Sequence, residues 1–415
     1  MLPVILAYVL VLGCKLVLRG LGLRHLRRHG DRVPPELVGV VDPATLQRMN
    51  AYTLEKGRLG TIQLLVTNVF VAAFLFGGVL RFYDDWVAQR ASSFVWSGLL
   101  FFLGLFLLDT LVNVPFSLLH NFRIEERYGF NRMGAKLWLS DTLKSLAVGG
   151  AILSILVPGA LFLVQSSPEW WWLAVWGFFL LFSIFLMYVS PYVIEPLFFK
   201  LEPLRRAGLE DAIRELVARA GLRASRVFQV DASRRSSHSN AYFTGLGRVK
   251  RIVLFDTLVD RLQESEILAV LAHEAGHWKK RHVLQRLLVT ELAALLLLYA
   301  AYRLLGVSAL PQVVGLGSVS FHARLLILGF LASLGLFPLT PLSSAWSRRH
   351  EWEADRFATR LTRRPRDLAA ALAQLSRDNL ANLHPHPLVS RFYDAHPPVV
   401  ERIRRLRGAA ASDGT

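Results

Sequence analysis

His273 and His277 stand four residues apart, with Glu274 directly after the first of them, in the stretch Ala272-His273-Glu274-Ala275-Gly276-His277-Trp278. On an α-helix that interval puts both imidazoles on one face, where they can grip a single ion. Zinc accepts such nitrogen ligands and, with only three protein ligands, keeps one position open for water. Glu274 stands beside the first ligand, placed to take a proton from that water. The pattern points to metal-assisted hydrolysis. Two histidines and a carboxylate meeting on a helix by coincidence is the competing reading, and a third ligand in a suitable setting decides between them.

The surrounding residues predict the helix that the motif needs. Ser265 can cap its start, and Ile267, Leu268, Leu271 and Ala272 recur at helical spacing. The helix is expected to run on into an apolar stretch, with Lys279, Lys280 and Arg281 marking the lipid headgroup layer. An ion bound here would lie close to the bilayer boundary.

Composition sets the environment. The chain has 415 residues, 53% hydrophobic and 19% charged, with a mean hydropathy of +0.38. That is too apolar for an ordinary soluble enzyme and implies several membrane spans. Seven apolar stretches reach the ~20 residues a crossing needs, at about 2–18, 61–82, 95–118, 145–164, 170–193, 284–305 and 323–344. Basic and non-basic loops alternate between them. The positive-inside rule then puts the N-terminus outside and every basic segment in the cytoplasm. The net charge of +17 is explained by these loops, and no aromatic-interleaved basic motif suggests nucleic acid. The single cysteine, Cys14, lies inside the first apolar run, so an intrachain disulfide and a thiol zinc site are excluded.

One consequence of that topology matters for the site. Residues 200–283 and 346–408 fall on the same side of the membrane and can build one centre. The first of these segments reads as a folded insertion, with an amphipathic helix over 209–220 and short strands over 226–230, 240–244 and 251–255. The chain therefore divides into spans one to five (1–199), a folded insertion that carries the motif helix (200–283), spans six and seven (284–345), a C-terminal part of the same domain (346–408) and a disordered tail (409–415). The fold class is mainly α: a seven-span bundle with a small cytoplasmic α+β domain containing a short antiparallel sheet. Asp109 and Asn113 in span three, and Glu291 in span six, are polar groups at a depth where they face a bundle interior or a watery cavity.

The third ligand comes from Ser347-Arg348-Arg349-His350-Glu351-Trp352-Glu353-Ala354-Asp355. Glu351 and Asp355, four apart, share a helix face, whereas Glu353 lies roughly 200° around from Glu351. A ligating site benefits from an outer carboxylate that holds a histidine ring in one tautomer. Only Glu351 has such a partner on its own face. Glu351 is therefore assigned to the ion, Asp355 to orienting an imidazole, and Glu353 to the solvent.

Beyond this motif the chain resembles the integral-membrane zinc metalloproteases typified by the type I CAAX prenyl endopeptidase. The matching stretches are Ile124-Glu125-Glu126-Arg127-Tyr128-Gly129-Phe130-Asn131, Arg235-Ser236-Ser237-His238-Ser239-Asn240-Ala241-Tyr242-Phe243 and Arg251-Ile252-Val253-Leu254-Phe255-Asp256-Thr257-Leu258, with Asn382-Leu383-His384-Pro385 and His396-Pro397-Pro398. The resemblance implies seven spans around a large water-filled chamber, one zinc ion facing inward, and a peptide or protein substrate that can carry a lipid. It implies that Asn240 binds the backbone of an extended peptide, a form of strand addition. It also implies that His396 and Arg402 stabilise the oxyanion. Only residues 259–265 separate the last strand from the motif helix, where eukaryotic members often carry a polar insertion; this suits a bacterial member in an inner membrane.

The function expected is that of a zinc metalloendopeptidase processing CAAX-type or similar C-termini, with His273, His277 and Glu351 as ligands and Glu274 as base. A quality-control protease for misfolded membrane proteins is the alternative within the class. A seven-span receptor or transporter with a structural zinc is the alternative outside it, opposed by the absence of a fourth protein ligand.

Overall fold

A computed structural model of the chain describes residues 1–244 and 249–412. Seven helices are long and apolar enough to cross a membrane: Leu2–His29, Pro43–Phe76, Phe94–Glu125, Ala135–Ser166, Trp171–Phe198, His282–Leu305 and Phe321–Thr362. Each overlaps one of the apolar stretches expected, and several run far beyond it; the second instead stops at Phe76, short of the stretch read to 82, because Gly77 and the left-handed Gly78 turn the chain into a separate helix, Val79–Arg90. The second begins at Pro43, whose fixed φ suits a first helical turn, behind Asp42, which accepts a hydrogen bond from the Thr45 amide at 2.8 Å. The seventh kinks through Phe337–Leu339, around Pro338, and then continues as the helix Thr340–Thr362. Glu351 thus rides on a rod that starts in the bilayer.

The insertion carries a four-stranded sheet of order β1 (Leu201–Pro203), β2 (Arg223–Val230), β4 (Val249–Phe255), β3 (Ala241–Thr244). It is mixed rather than antiparallel throughout: β1 pairs with β2 and β3 with β4 antiparallel, but β2 and β4 run parallel, Val227 opposite Ile252. The excursion through Ala232–Arg234 and β3 supplies the crossover that a parallel pair requires. β3 is left on an edge, packed against the motif helix.

One core joins segments that are distant in sequence. Leu37 from the loop after span one, Leu46 and Met49 from the first turns of the second helix, Ile124 and Phe130 from the end of span three and the loop after it, Ile213 and Leu216 from the helix Leu209–Arg219, Ile252 and Leu254 from β4, Ile267 and Leu271 from the motif helix, and Leu368 and Ile403 from the C-terminal helices are all buried together. Burying each of these aliphatic side chains contributes roughly 1.5–3 kcal/mol. Their convergence requires that the loops after spans one, three, five and seven share one side of the bundle, as the charge alternation suggested. The last helix, Val399–Ser412, extends past Gly408 into the segment read as a tail, and residues 413–415 of that tail lie outside the described residues.

The polar residues at membrane depth find different settings. Asp109, Asn113, Ser117, Asn121 and Glu125 repeat every four residues along span three and line one wall of a cavity of about 580 Å³. Asn113 also accepts a hydrogen bond from Gln63 at 2.8 Å. Glu291 is buried between spans five and six, where its carbonyl accepts from the Trp176 indole at 3.0 Å.

Candidate active site

The motif helix spans Glu264–Lys279. Its N-cap is Gln263, whose side chain accepts from the Glu266 amide while the Glu266 carboxylate accepts from the Gln263 amide at 2.9 Å. This capping box displaces the cap expected at Ser265, because it satisfies two free amides where Ser265 would satisfy one. Nor does the helix run into span six. It stops at Lys279, Arg281 adopts a left-handed conformation at φ 58°, and a new helix begins at His282.

Small residues let this helix approach Thr340–Thr362 closely. A Cβ placed on Gly276 would lie 3.0 Å from Ala354 Cα and 3.2 Å from both the Ala354 carbonyl and Phe357 Cβ. Ala272, Ala275, Ala354 and Ala358 are all buried in the same region. Backbones this close allow a glutamate on one helix to reach histidines on the other.

The three predicted ligands meet. His273 Nε2 and His277 Nε2 lie 3.2 Å apart, and each has a Glu351 oxygen at 3.4 Å. Among the described residues this is the one group of three His, Cys, Asp or Glu side chains placed to hold an ion. With zinc bonds of about 2.0–2.1 Å, the corners of a tetrahedron stand about 3.3 Å apart. The donor set thus fits zinc in kind and in spacing, with one corner left for a non-protein ligand. Glu351 is 2% exposed, cut off from water and faced by nitrogens of His396, His273 and Arg402 at 2.8, 3.4 and 3.6 Å from its Oε2. A carboxylate buried in this way is costly unless a cation serves it.

His273 Nδ1 lies 2.8 Å from Asp355, on the face expected. Burial works to lower the His273 pKa, but hydrogen bonds to Asp355 and then Glu351 override it and raise the group to about 9. Arg402 is held by Asp355 on one edge of its guanidinium. Its Nε and Nη2 donate to Asp355 at 2.9 and 2.6 Å, and Nη1 is 3.6 Å from Glu351. With the guanidinium 8% exposed and committed to Asp355, its geometry is that of a brace behind His273. His396 does approach: Nδ1 is 2.8 Å from Glu351 Oε2, on a side chain 70% exposed. Glu274 is half-buried and carries no hydrogen bond or ion pair among the described residues.

Glu353 is not merely solvated, as the face argument had it. Its Oε2 lies 3.2 Å from His282 Nε2, and its Oε1 accepts from Arg349 at 3.1 Å. His282 Nδ1 in turn is 3.0 Å from His277 Nδ1. On one unbroken helix, residues five apart point about 140° from each other. Only the break at Arg281 turns His282 back towards His277, and nothing in the residue types announces that break.

Asn240 stands exposed immediately before β3. Its own Oδ1 accepts from the Ala241 amide at 2.8 Å, and its carbonyl accepts from Phe255 at 3.0 Å. The segment ahead of it is fixed by the loop after span three. Ser237 donates to the Phe130 carbonyl at 3.0 Å, His238 stacks on Phe130 with centroids 4.0 Å apart, and His238 Nε2 is 3.1 Å from Glu125. Asn379 accepts from the Ser239 amide at 3.2 Å and closes the cluster. Glu125, His238 and Asn379 carry no single-residue signal in the sequence, since their value lies in long-range pairing.

Comparison with known proteins agrees with this geometry. Residues 22–200 match the family described as "CAAX prenyl protease N-terminal, five membrane helices", and residues 203–410 match "Peptidase family M48". A CAAX prenyl protease 1 homolog of Arabidopsis thaliana is 32% identical over 396 residues, covering 91% of this chain and 90% of the relative. CAAX prenyl protease 1 of Saccharomyces cerevisiae is 33% identical over 412 residues, covering 90% of this chain and 88% of its own length. A Bacillus subtilis protein named as the uncharacterized metalloprotease YhfN is 29% identical, with 90% of each chain covered. The crystal structure of Saccharomyces mikatae Ste24p superposes with a TM-score of 0.88 at 29% identity, covering 98% of both chains. The chain belongs to peptidase family M48 and is a multi-pass membrane metalloprotease.

Proposed function

We propose that the chain is a zinc endopeptidase in which His273, His277 and Glu351 hold the metal and Glu274 is the general base. The single observation that carries this is the triangle of ligand atoms with edges of 3.2, 3.4 and 3.4 Å beside an unengaged Glu274. When bound, the ion supplies Lewis-acid polarisation of the scissile carbonyl and acidifies water. Glu274 accepts the water's proton as the carbonyl carbon is attacked and then returns it to the departing amine nitrogen. Asp355 holds the His273 Nδ1 proton, and Arg402 keeps Asp355 ionised and oriented. His396, exposed beside Glu351, and the Arg402 edge that carries Nη1 are the groups placed to donate to the developing oxyanion. A receptor or transporter with a structural metal fits poorly, because only three protein ligands gather here among the described residues.

The substrate enters as an extended peptide along the open edge of β3, with Asn240 at the start of that edge. Main-chain hydrogen bonds supply affinity without demanding particular side chains. The names of the relatives support a C-terminal CAAX-type peptide, with or without its lipid. The site lies on the side shared by the basic loops, which we read as the cytoplasmic face of a bacterial inner membrane with the N-terminus outside. The positive charge then belongs to topology, and nucleic acid is not a partner.

The test uses the full-length enzyme in detergent, chelator-stripped or zinc-loaded, with a farnesylated CAAX peptide, its unprenylated counterpart and an unfolded membrane protein. Zinc-dependent release of the C-terminal fragment from the CAAX peptides is expected. Zinc-dependent cleavage confined to the unfolded protein would move the assignment to quality control, and no cleavage by metal-loaded enzyme would overturn it.

A further inference from the structure

The two histidines of the motif are held from behind in unequal ways. His273 leans directly on Asp355, while His277 faces another imidazole, His282. If His277 offers its Nε2 to the ion, its single remaining proton must sit on Nδ1. That proton points at His282 Nδ1, 3.0 Å away, which must then accept. The proton of His282 is thereby placed on Nε2, where it donates to Glu353 at 3.2 Å. The other Glu353 oxygen accepts from Arg349 at 3.1 Å. One tautomer assignment satisfies every contact in the chain.

We propose that His282 and Glu353 are positioning residues: a carboxylate–imidazole arm, one ring longer than the Asp355 arm, that holds His277 with Nε2 towards the metal. This rests on the reading that His273, His277 and Glu351 are the ligands. The arm is built from parts that do not move easily. His282 is 1% exposed and lies flat on His350, with centroids 3.9 Å apart and planes 6° from parallel. His350 is itself 2% exposed and is met edge-on by Trp346 at 4.8 Å. The left-handed Arg281 fixes the angle at which the His282 helix leaves the motif helix. A histidine that merely filled this space would not need its two nitrogens aligned between two polar partners. Glu353 ties the first residue of span six to the helix that carries Glu351, so the arm links His277 to the helix of the third ligand.

The arm is tested on full-length enzyme by zinc competition against a chromogenic chelator, alongside the melting temperature of the metal-free protein. His282→Leu should weaken zinc binding about 10–100-fold, the range typical of lost outer-sphere partners. Glu353→Leu touches neither His277 nor the metal ligands, yet it should weaken binding severalfold. Glu353→Gln, which keeps a carbonyl acceptor for His282, should recover most of that loss. Metal-free melting temperatures of the two Glu353 variants should stay at the wild-type value. Wild-type affinity in both His282→Leu and Glu353→Leu would overturn the arm. So would a loss in Glu353→Leu that Glu353→Gln fails to restore. Failure of the wild-type chain to bind zinc at this centre is a separate result, and it would remove the ligand assignment itself.

Discussion

Adding one methyl group at Gly276 tests whether the close approach of two helices creates the metal site. In Gly276→Ala the new Cβ would stand 3.0 Å from Ala354 Cα and 3.2 Å from the Ala354 carbonyl and Phe357 Cβ. Carbon atoms prefer about 3.5–4.0 Å, so the helices must separate by roughly half an ångström. Overpacking of this kind costs about 1–3 kcal/mol, while replacing a helical glycine by alanine returns about 1 kcal/mol. The net change in stability is therefore small, between about zero and 2 kcal/mol of destabilisation. Metal geometry is less forgiving, since ligand distances hold to within about 0.2 Å. Displacing Glu351 by twice that should weaken zinc binding on the order of 10–100-fold, as measured by chelator competition, with a melting temperature only a few degrees lower. A Gly276→Ala enzyme with wild-type zinc affinity would refute the claim that this contact positions the third ligand.

Other expectations follow from the same geometry. Glu274→Gln should keep its zinc and fold but lose cleavage by at least about 10²-fold, read by metal content and peptide turnover on one preparation. Arg402→Ala strips the buried Asp355 of its bidentate partner and should cost about 3–5 kcal/mol in chemical denaturation; Arg402→Lys, lacking the fork, should recover only part. Zinc uptake must displace the proton that His273 holds up to about 9. Affinity should therefore rise with pH below that value, by about tenfold per unit, and a flat profile between pH 6.5 and 8.5 would contradict a protonated His273.

Much of this was legible because it depends on local periodicity. Apolar runs gave seven crossings, and the four-residue interval placed His273 with His277 and Glu351 with Asp355 on common faces. What escaped is what depends on chain direction changing. The left-handed Arg281 ends the motif helix and brings His282 to His277, and it is one basic residue among three. The parallel pairing of β2 with β4 depends on a crossover that strand patterns do not encode. The second span's start at Pro43 lies well outside its apolar run, because the added turns bury Leu46 and Met49 against the protease domain rather than in lipid. Glu353 was set aside on angle alone, yet the element that meets its face was not visible in a single helix. The hydrogen bonds of Arg402 to Asp355 join residues 47 apart in the chain, a pairing that no local pattern announces.

The central claim is that Glu351 completes a three-residue zinc centre with His273 and His277. Metal content of the purified wild-type enzyme and of Glu351→Ala tests it most directly. The account predicts about one zinc per wild-type chain and almost none in Glu351→Ala. Full zinc occupancy in a folded Glu351→Ala enzyme would contradict it.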